Sequence, residues 1–189
     1  MYKNFVCVTD RKISRAPFLQ QIETICALRP KALILREKDL TEAEYTQLAL
    51  KVQAVCKNYG VKFIVHTFWR AGLALGADDA HMPLPVCTAM TAACVRLQAG
   101  RFGVSVHSAE EAKTALALGA AYLTAGHIYE SGCKQGVPPR GPAFLKEICT
   151  LSPVPVYAIG GIGLNKEQLE EVLACGAAGA CVRSAFMRL

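Results

Sequence analysis

The chain has 189 residues, 52% of them hydrophobic and 19% charged, with a mean hydropathy of +0.27. These values exclude a disordered chain, a coiled coil or a collagen-like repeat, and predict one compact domain over residues 1–189 whose core needs no disulfide or metal staples. A net charge of +6 does not point to nucleic acid, because the basic residues are scattered and lack interleaved aromatics; isolated cations at strand ends suit a small anionic ligand.

Met1 to Asp10 holds a short apolar run closed by a charge, which reads as a first strand rather than a targeting signal. Further strands are predicted at Ala32–Arg36, Lys62–His66, Asp79–His81, Arg101–Val104, Tyr122–Ala125, Val156–Ile159 and Gly179–Val182, with the first spanning Phe5–Thr9. Helical stretches lie between them. The clearest are Thr41–Asn58, Ser108–Leu118 and Asn165–Ala174, each opened by a capping residue with Glu or Gln three places on: Glu44, Glu111 and Gln168.

Three segments repeat one layout, in which Gly76, Gly119 and Gly176 each close a helix and lead into a short strand. Helix followed by strand, repeated, requires parallel strands with helical crossovers. Eight such units predict an α/β fold, a short (β/α)₈ TIM barrel with a truncated final helix. A doubly wound open sheet is the competing architecture, weakened by the absence of Gly-x-Gly-x-x-Gly after the first strand. After Ser184 only five residues remain. The last side of the barrel is therefore expected to be closed by a partner subunit or left bare, which makes a homodimer the expected assembly.

The apolar stretches Ala32–Leu35 and Val61–Val65 fall far short of the roughly 20 residues of a membrane helix, and a cytoplasmic protein is expected. The nine cysteines show no Cys-x-x-Cys spacing, so a structural metal site is not expected and most thiols read as small buried hydrophobes. Cys133 differs in lying within a polar loop.

Active residues in such a barrel collect where strands end, and phosphate is usually held after strands seven and eight. Gly160 and Gly161 follow the seventh strand and let backbone N–H groups approach an anion, while Arg183 and Ser184 follow the eighth. The second strand ends in Arg36-Glu37-Lys38-Asp39. Arg36 and Lys38 could neutralise an acidic substrate, or pair with Glu37 and Asp39 on the surface. His127 ends the sixth strand and opens the longest polar loop, Ile128 to Gly141; as the loop's imidazole it is the natural proton shuttle. His66, His81 and His107 also fall near strand ends, and His81 and His107 read more simply as hydrogen-bonding histidines. His66-Thr67 and His81-Met82-Pro83 bring no acid to hold magnesium, so no metal and no cofactor is expected.

Five motifs in order, Val8-Thr9-Asp10-Arg11, Leu35-Arg36-Glu37-Lys38, Gly76-Ala77-Asp78-Asp79-Ala80-His81, Gly103-Val104-Ser105-Val106-His107-Ser108 and Ala158-Ile159-Gly160-Gly161-Ile162, resemble the thiamine phosphate synthase family and its TenI-type sister proteins, the thiazole tautomerases. The resemblance implies a (β/α)₈ fold and a phosphorylated thiazole as substrate. It covers a magnesium-dependent transferase and a metal-free isomerase. Where the synthase pattern places metal-holding acids, this chain has His66-Thr67-Phe68 and Pro83-Leu84-Pro85-Val86, and Ile34 stands where a pyrimidine-binding Gln is usual. Gly126-His127-Ile128-Tyr129-Glu130-Ser131-Gly132-Cys133-Lys134 looks instead like the tautomerase pattern, in which this histidine moves the proton.

The main expectation is therefore an isomerase of thiamine biosynthesis that aromatises a thiazole carboxylate phosphate. In it His127 is catalytic, Arg36 and Lys38 attract the substrate, and Gly160, Gly161, Arg183 and Ser184 hold the phosphate, supported by Lys134 and Ser105. The alternatives are a transferase joining thiazole phosphate to a pyrimidine pyrophosphate, with magnesium, and a non-catalytic thiazole-phosphate binder. Arg183 departs from the family's usual apolar residue at that place.

Overall fold

The computed structural model describes residues 2–94, 101–132 and 136–189. Its strands are β1 (Phe5–Val8), β2 (Ala32–Leu35), β3 (Lys62–His66), β4 (Asp79–Pro83), β5 (Arg101–Val106), β6 (Tyr122–Gly126), β7 (Val156–Ile159) and β8 (Gly179–Val182). They alternate with α1 (Phe18–Ala27), α2 (Glu42–Tyr59), α3 (Trp69–Leu75), α4 (Leu84–Cys94), α5 (Ala109–Ala117), α6 (Gly141–Leu151), α7 (Lys166–Ala174) and α8 (Ser184–Met187). The strands run in order β1 to β8 in a closed barrel, as the repeated helix–Gly–strand layout predicts. The open doubly wound sheet is thereby excluded.

The strands are apolar because parallel strands with helical crossovers are covered on both faces. Every residue of β1, β2, β6 and β8 is buried. Helix starts follow the expected caps: Thr41 and Glu44 form a reciprocal capping box on α2, and Ser108 and Asn165 accept from the N–H groups of Glu111 and Gln168. Gly76 closes α3 at φ +59°, a left-handed conformation that a Cβ disfavours, and Gly119 and Gly176 adopt the same half of the map at +88° and +92°.

By its contacts the chain groups into two compact units. The first holds β1 to β3, the chain up to His81, and the segment from Val182 onward. In it β1 pairs with β2 through Cys7 opposite Leu33, and β2 with β3 through Ile34 opposite Ile64. α8 is a single turn, as expected, yet the last side is not bare: Phe186 and Met187 are fully buried, Phe186 packs edge-on against Phe5 at 6.4 Å, and Gln21 Nε2 donates to the Phe186 carbonyl at 2.9 Å.

The second unit runs from Met82 and includes Phe102 to Cys181. Here β5, β6 and β7 pair in register through Ser105 opposite Thr124 and Gly126 opposite Ile159. Gly103 of β5 lies beneath the Tyr122 ring, which leaves no room for a side chain, and Tyr122 meets Tyr157 edge-on at 6.0 Å.

Several strand ends differ from the sequence expectation. β1 and β2 stop one residue early because the Thr9 hydroxyl, rather than the ladder, accepts the Arg36 N–H at 2.9 Å. β4, β5 and β6 run on to Pro83, Val106 and Gly126.

Candidate active site

In the first unit, the carboxyl ends of β1 and β2 are organised around Glu37, which is 3% exposed. Its carboxylate accepts from the Thr9 hydroxyl at 2.7 Å, from the Arg11 backbone N–H at 3.1 and 3.2 Å, and from Arg11 Nη1 at 3.1 Å. The same guanidinium grips Asp39 with two bonds of 2.6 and 2.9 Å, a fork matching a carboxylate. Arg11 and Lys12 hold the Asp39 carboxyl well below the usual carboxylate range. Of the two readings of this cluster, the alternative surface pairing of Glu37 and Asp39 with Arg36 and Lys38 is not what these bonds show: both acids turn to Arg11, from the preceding strand end.

Arg36 is half-buried beside these carboxylates. Lys38 is exposed, and partial burial with the neighbouring Arg36 charge pushes its ammonium pKa down. Arg183, expected on a phosphate, places Nη1 2.9 Å from Asp10 Oδ2. Asp10 is the acid at the end of β1 and draws the half-buried guanidinium. Ser184 opens the four-residue α8, too short to supply a helix-terminus charge.

His66 ends β3 and His81 lies in β4, with ring centroids 5.6 Å apart and both residues buried. The His66 backbone N–H donates to the Tyr45 hydroxyl at 2.9 Å, which donates onward to the Leu35 carbonyl at 2.7 Å. Its ring Nδ1 bonds the Thr67 hydroxyl at 2.7 Å. Burial pushes His66 well down, helped by His81, Arg36 and Lys38, and burial alone pushes His81 down to about 4. Both rings are therefore neutral at neutral pH. Thr67 sits at φ +67°, a strained conformation for a β-branched residue, with its N–H on the His81 carbonyl at 3.0 Å. Sequence reading placed these histidines at strand ends but not side by side.

In the second unit, His127 follows β6 and is 4% exposed. Its Nε2 lies 3.2 Å from the Val137 carbonyl oxygen. A carbonyl only accepts, so Nε2 carries the proton and Nδ1 keeps the lone pair. That Nδ1 is buried with no hydrogen-bond partner among the described residues.

The surroundings explain the position. Gly160 has φ +101°, and a Cβ there would overlap the His127 Cβ; a Cβ on Gly161 would overlap the Glu130 carbonyl oxygen. The two glycines thus have a packing reason, beside the anion-binding one that the sequence suggests. Behind His127, the Arg140 N–H reaches its carbonyl at 2.9 Å, the Ile128 N–H reaches the Ile159 carbonyl at 3.0 Å, and Tyr129 N–H the Gly160 carbonyl at 3.0 Å. His107 Nδ1 lies 2.6 Å from the Gly126 carbonyl. Ser105 accepts from the buried Thr124 hydroxyl at 3.1 Å. Lys134 and Cys133 lie outside the described residues.

Magnesium does not fit the described residues. It takes oxygen ligands in a near-octahedral shell, whereas β3 and β4 present imidazoles and Asp10, Glu37 and Asp39 are held by arginines. Among the described residues no group of three or more His, Cys, Asp and Glu side chains could hold a metal ion.

Comparison with known proteins agrees with the strand-end motifs. The sequence model of the TMP-TENI family, described as thiamine monophosphate synthase, matches residues 5–186. The thiamine-phosphate synthase of Coprothermobacter proteolyticus is 34% identical over 181 residues, covering 95% of this chain and 85% of that protein. Thiamine-phosphate synthase 2 of Streptococcus pneumoniae is 34% identical over 179 residues, covering 93% and 83%. The solved thiamine phosphate pyrophosphorylase of Pyrococcus furiosus superposes with a TM-score of 0.83 at 27% identity, over 100% of this chain and 89% of that one.

Proposed function

The chain belongs to the thiamine monophosphate synthase family, and on that premise we propose that it is an enzyme of thiamine biosynthesis acting on a phosphorylated thiazole. Two reactions compete for this description. The names of the relatives favour the transferase, which joins a thiazole phosphate to a pyrimidine pyrophosphate. The residues of this chain favour proton transfer, and that is the reading adopted here.

The observation that carries it is the buried Nδ1 of His127, unpartnered among the described residues, with the proton held on Nε2 by the Val137 carbonyl. A base without a hydrogen-bond partner in the resting protein is ready to take a proton from a ligand. In a thiazole carboxylate phosphate with an exocyclic double bond, His127 Nδ1 removes the proton from the ring carbon bearing the carboxylate. The resulting imidazolium returns a proton to the exocyclic carbon, the electron pairs shift into the ring, and no atom is gained or lost. General acid–base help of this kind contributes about 10²–10⁴-fold, and aromatisation is downhill. Arg36 and Lys38 supply positive charge for the anionic substrate, with Gly160, Gly161, Ser105 and Ser184 as proposed contacts. Arg183 acts on Asp10 first.

The transferase is the second reading, favoured by the names of the relatives. An NMR assay in D₂O with the exocyclic-ene substrate and chelator separates the two. Aromatisation by the wild type that is lost in His127→Asn supports proton transfer. A wild type no faster than buffer, but releasing pyrophosphate from pyrimidine pyrophosphate once magnesium is added, establishes the transferase.

A further inference from the structure

We infer that His107 is a positioning residue for His127, acting through the carbonyl of the peptide that joins Gly126 to His127. The inference rests on the proton-transfer reading above. Its physical basis is a short chain of contacts wholly within the second unit.

α5 begins with Ser108, whose hydroxyl accepts the Glu111 N–H at 3.1 Å. In a reciprocal capping box the Glu111 carboxylate would return to the N–H of the cap itself. Here Oε2 takes the N–H of the preceding residue, His107, at 2.6 Å. The helix start therefore anchors the His107 backbone, and its ring reaches across from the end of β5 to the end of β6, with Nδ1 2.6 Å from the Gly126 oxygen. The carbonyl can only accept, so His107 carries its proton on Nδ1.

That carbonyl belongs to a planar peptide whose nitrogen is the His127 nitrogen. Holding the oxygen sets the plane from which the His127 Cα and ring depart. On the following peptide the Arg140 N–H holds the His127 carbonyl at 2.9 Å. His127 is thus gripped on both flanking peptides, and on the preceding one the grip is a side chain. Gly126 itself fits beneath the Ile159 carbonyl only because it lacks a Cβ, so this strand end has no slack in the direction of β7. A neighbour held this tightly transmits the loss of one hydrogen bond to the orientation of the base.

The test uses the full-length protein and three variants. His107→Asn keeps an N–H at the Nδ1 position, His107→Gln moves it one bond outward, and His107→Leu removes it. Asn is expected to retain turnover. Gln and Leu are expected to lower kcat by up to about 10²-fold, the scale of a displacement of about 1 Å in a catalytic group, with KM little changed.

A second readout needs no turnover: the imidazole ¹⁵N shifts of His127, which report a single Nε2–H tautomer in the wild type and a tautomer mixture in the folded Leu variant. Equal loss in Asn and Leu, or unchanged His127 shifts in folded Leu and Gln variants, overturns the proposal. If the wild type itself shows no aromatisation, the proton-transfer reading fails on its own, and the His127 shifts alone decide whether His107 positions that ring.

Discussion

The carboxyl ends of β1 and β2 and the carboxyl end of β6 treat polar groups in opposite ways. At β1 and β2 each acid is answered: Glu37 receives Thr9 and Arg11, Asp39 receives Arg11 and Lys12, and Asp10 receives Arg183. At β6 the buried Nδ1 of His127 has no partner among the described residues. Buried polar groups are nearly always paired because an orphan costs about 1–3 kcal/mol. The difference separates a region whose hydrogen bonds hold two strand ends together from one that leaves a ring nitrogen with an acceptor to spare, as the proposed proton transfer requires.

The sharpest way to break this contrast is to remove the proposed base. His127→Asn is expected to lower aromatisation by about 10²–10⁴-fold with only a modest fall in melting temperature, since the amide keeps a polar atom at the Nδ1 position and gives up the Nε2 bond to the Val137 carbonyl. A large drop in melting temperature with intact turnover would make His127 a structural residue. Next in size is Gly160→Ala. The added methyl must displace the His127 Cβ from a backbone at φ +101°, a combination of overpacking and strain expected to cost about 3 kcal/mol or more. Urea denaturation measures that loss, and kcat should fall with it because the displaced neighbour is the base.

Much of the fold was legible because its signals are local. Thr41 with Glu44, Ser108 with Ser-x-x-Glu spacing, and Gly76 before its strand each state their structure within a few residues, and eight such statements add up to the barrel. His127 was legible too, as a titratable group at a strand end opening a long polar loop. Its tautomer was not, because that depends on the Val137 carbonyl. Nor were the partners of Glu37 and Arg183, which lie 26 and 173 residues away in the chain and are chosen by which strand ends meet. The second role of Gly160 was hidden for the same reason, since only the folded chain brings His127 over it.

The neutral histidines of the first unit sharpen the comparison through pH. His81 titrates at about 4 when folded and near 6.5 when unfolded, so between those values the unfolded chain binds more protons. Stability therefore rises with pH across that window: it is fully present above about 6.5, declines as pH falls towards 4, and levels off below. The shift corresponds to roughly 3 kcal/mol for His81, and His66, facing His81, Arg36 and Lys38, adds in the same direction. Urea titrations from pH 7 to pH 4 should show the slope, and His81→Gln should flatten it. A wild type equally stable at both ends would mean that these rings accept protons in place.

The smallest effects come from the paired region itself, and they separate a buried partner from an exposed one on a single arginine. Glu37→Gln keeps the shape but removes the charge beneath Arg11 and turns one acceptor into a donor facing the Arg11 N–H and Nη1. A loss of about 2 kcal/mol is expected, the scale of a charged hydrogen bond broken in a buried setting. Asp39→Asn acts on the other side of the same guanidinium, where water screens the pair, and should leave the melting transition almost unmoved despite the shorter contact of 2.6 Å. Adding salt should further reduce the Asp39 effect and leave that of Glu37 in place. If the two variants were equally damaging, the fork on Asp39 rather than the buried carboxylate would be what ties β1 to β2, and distance rather than burial would rank these contacts.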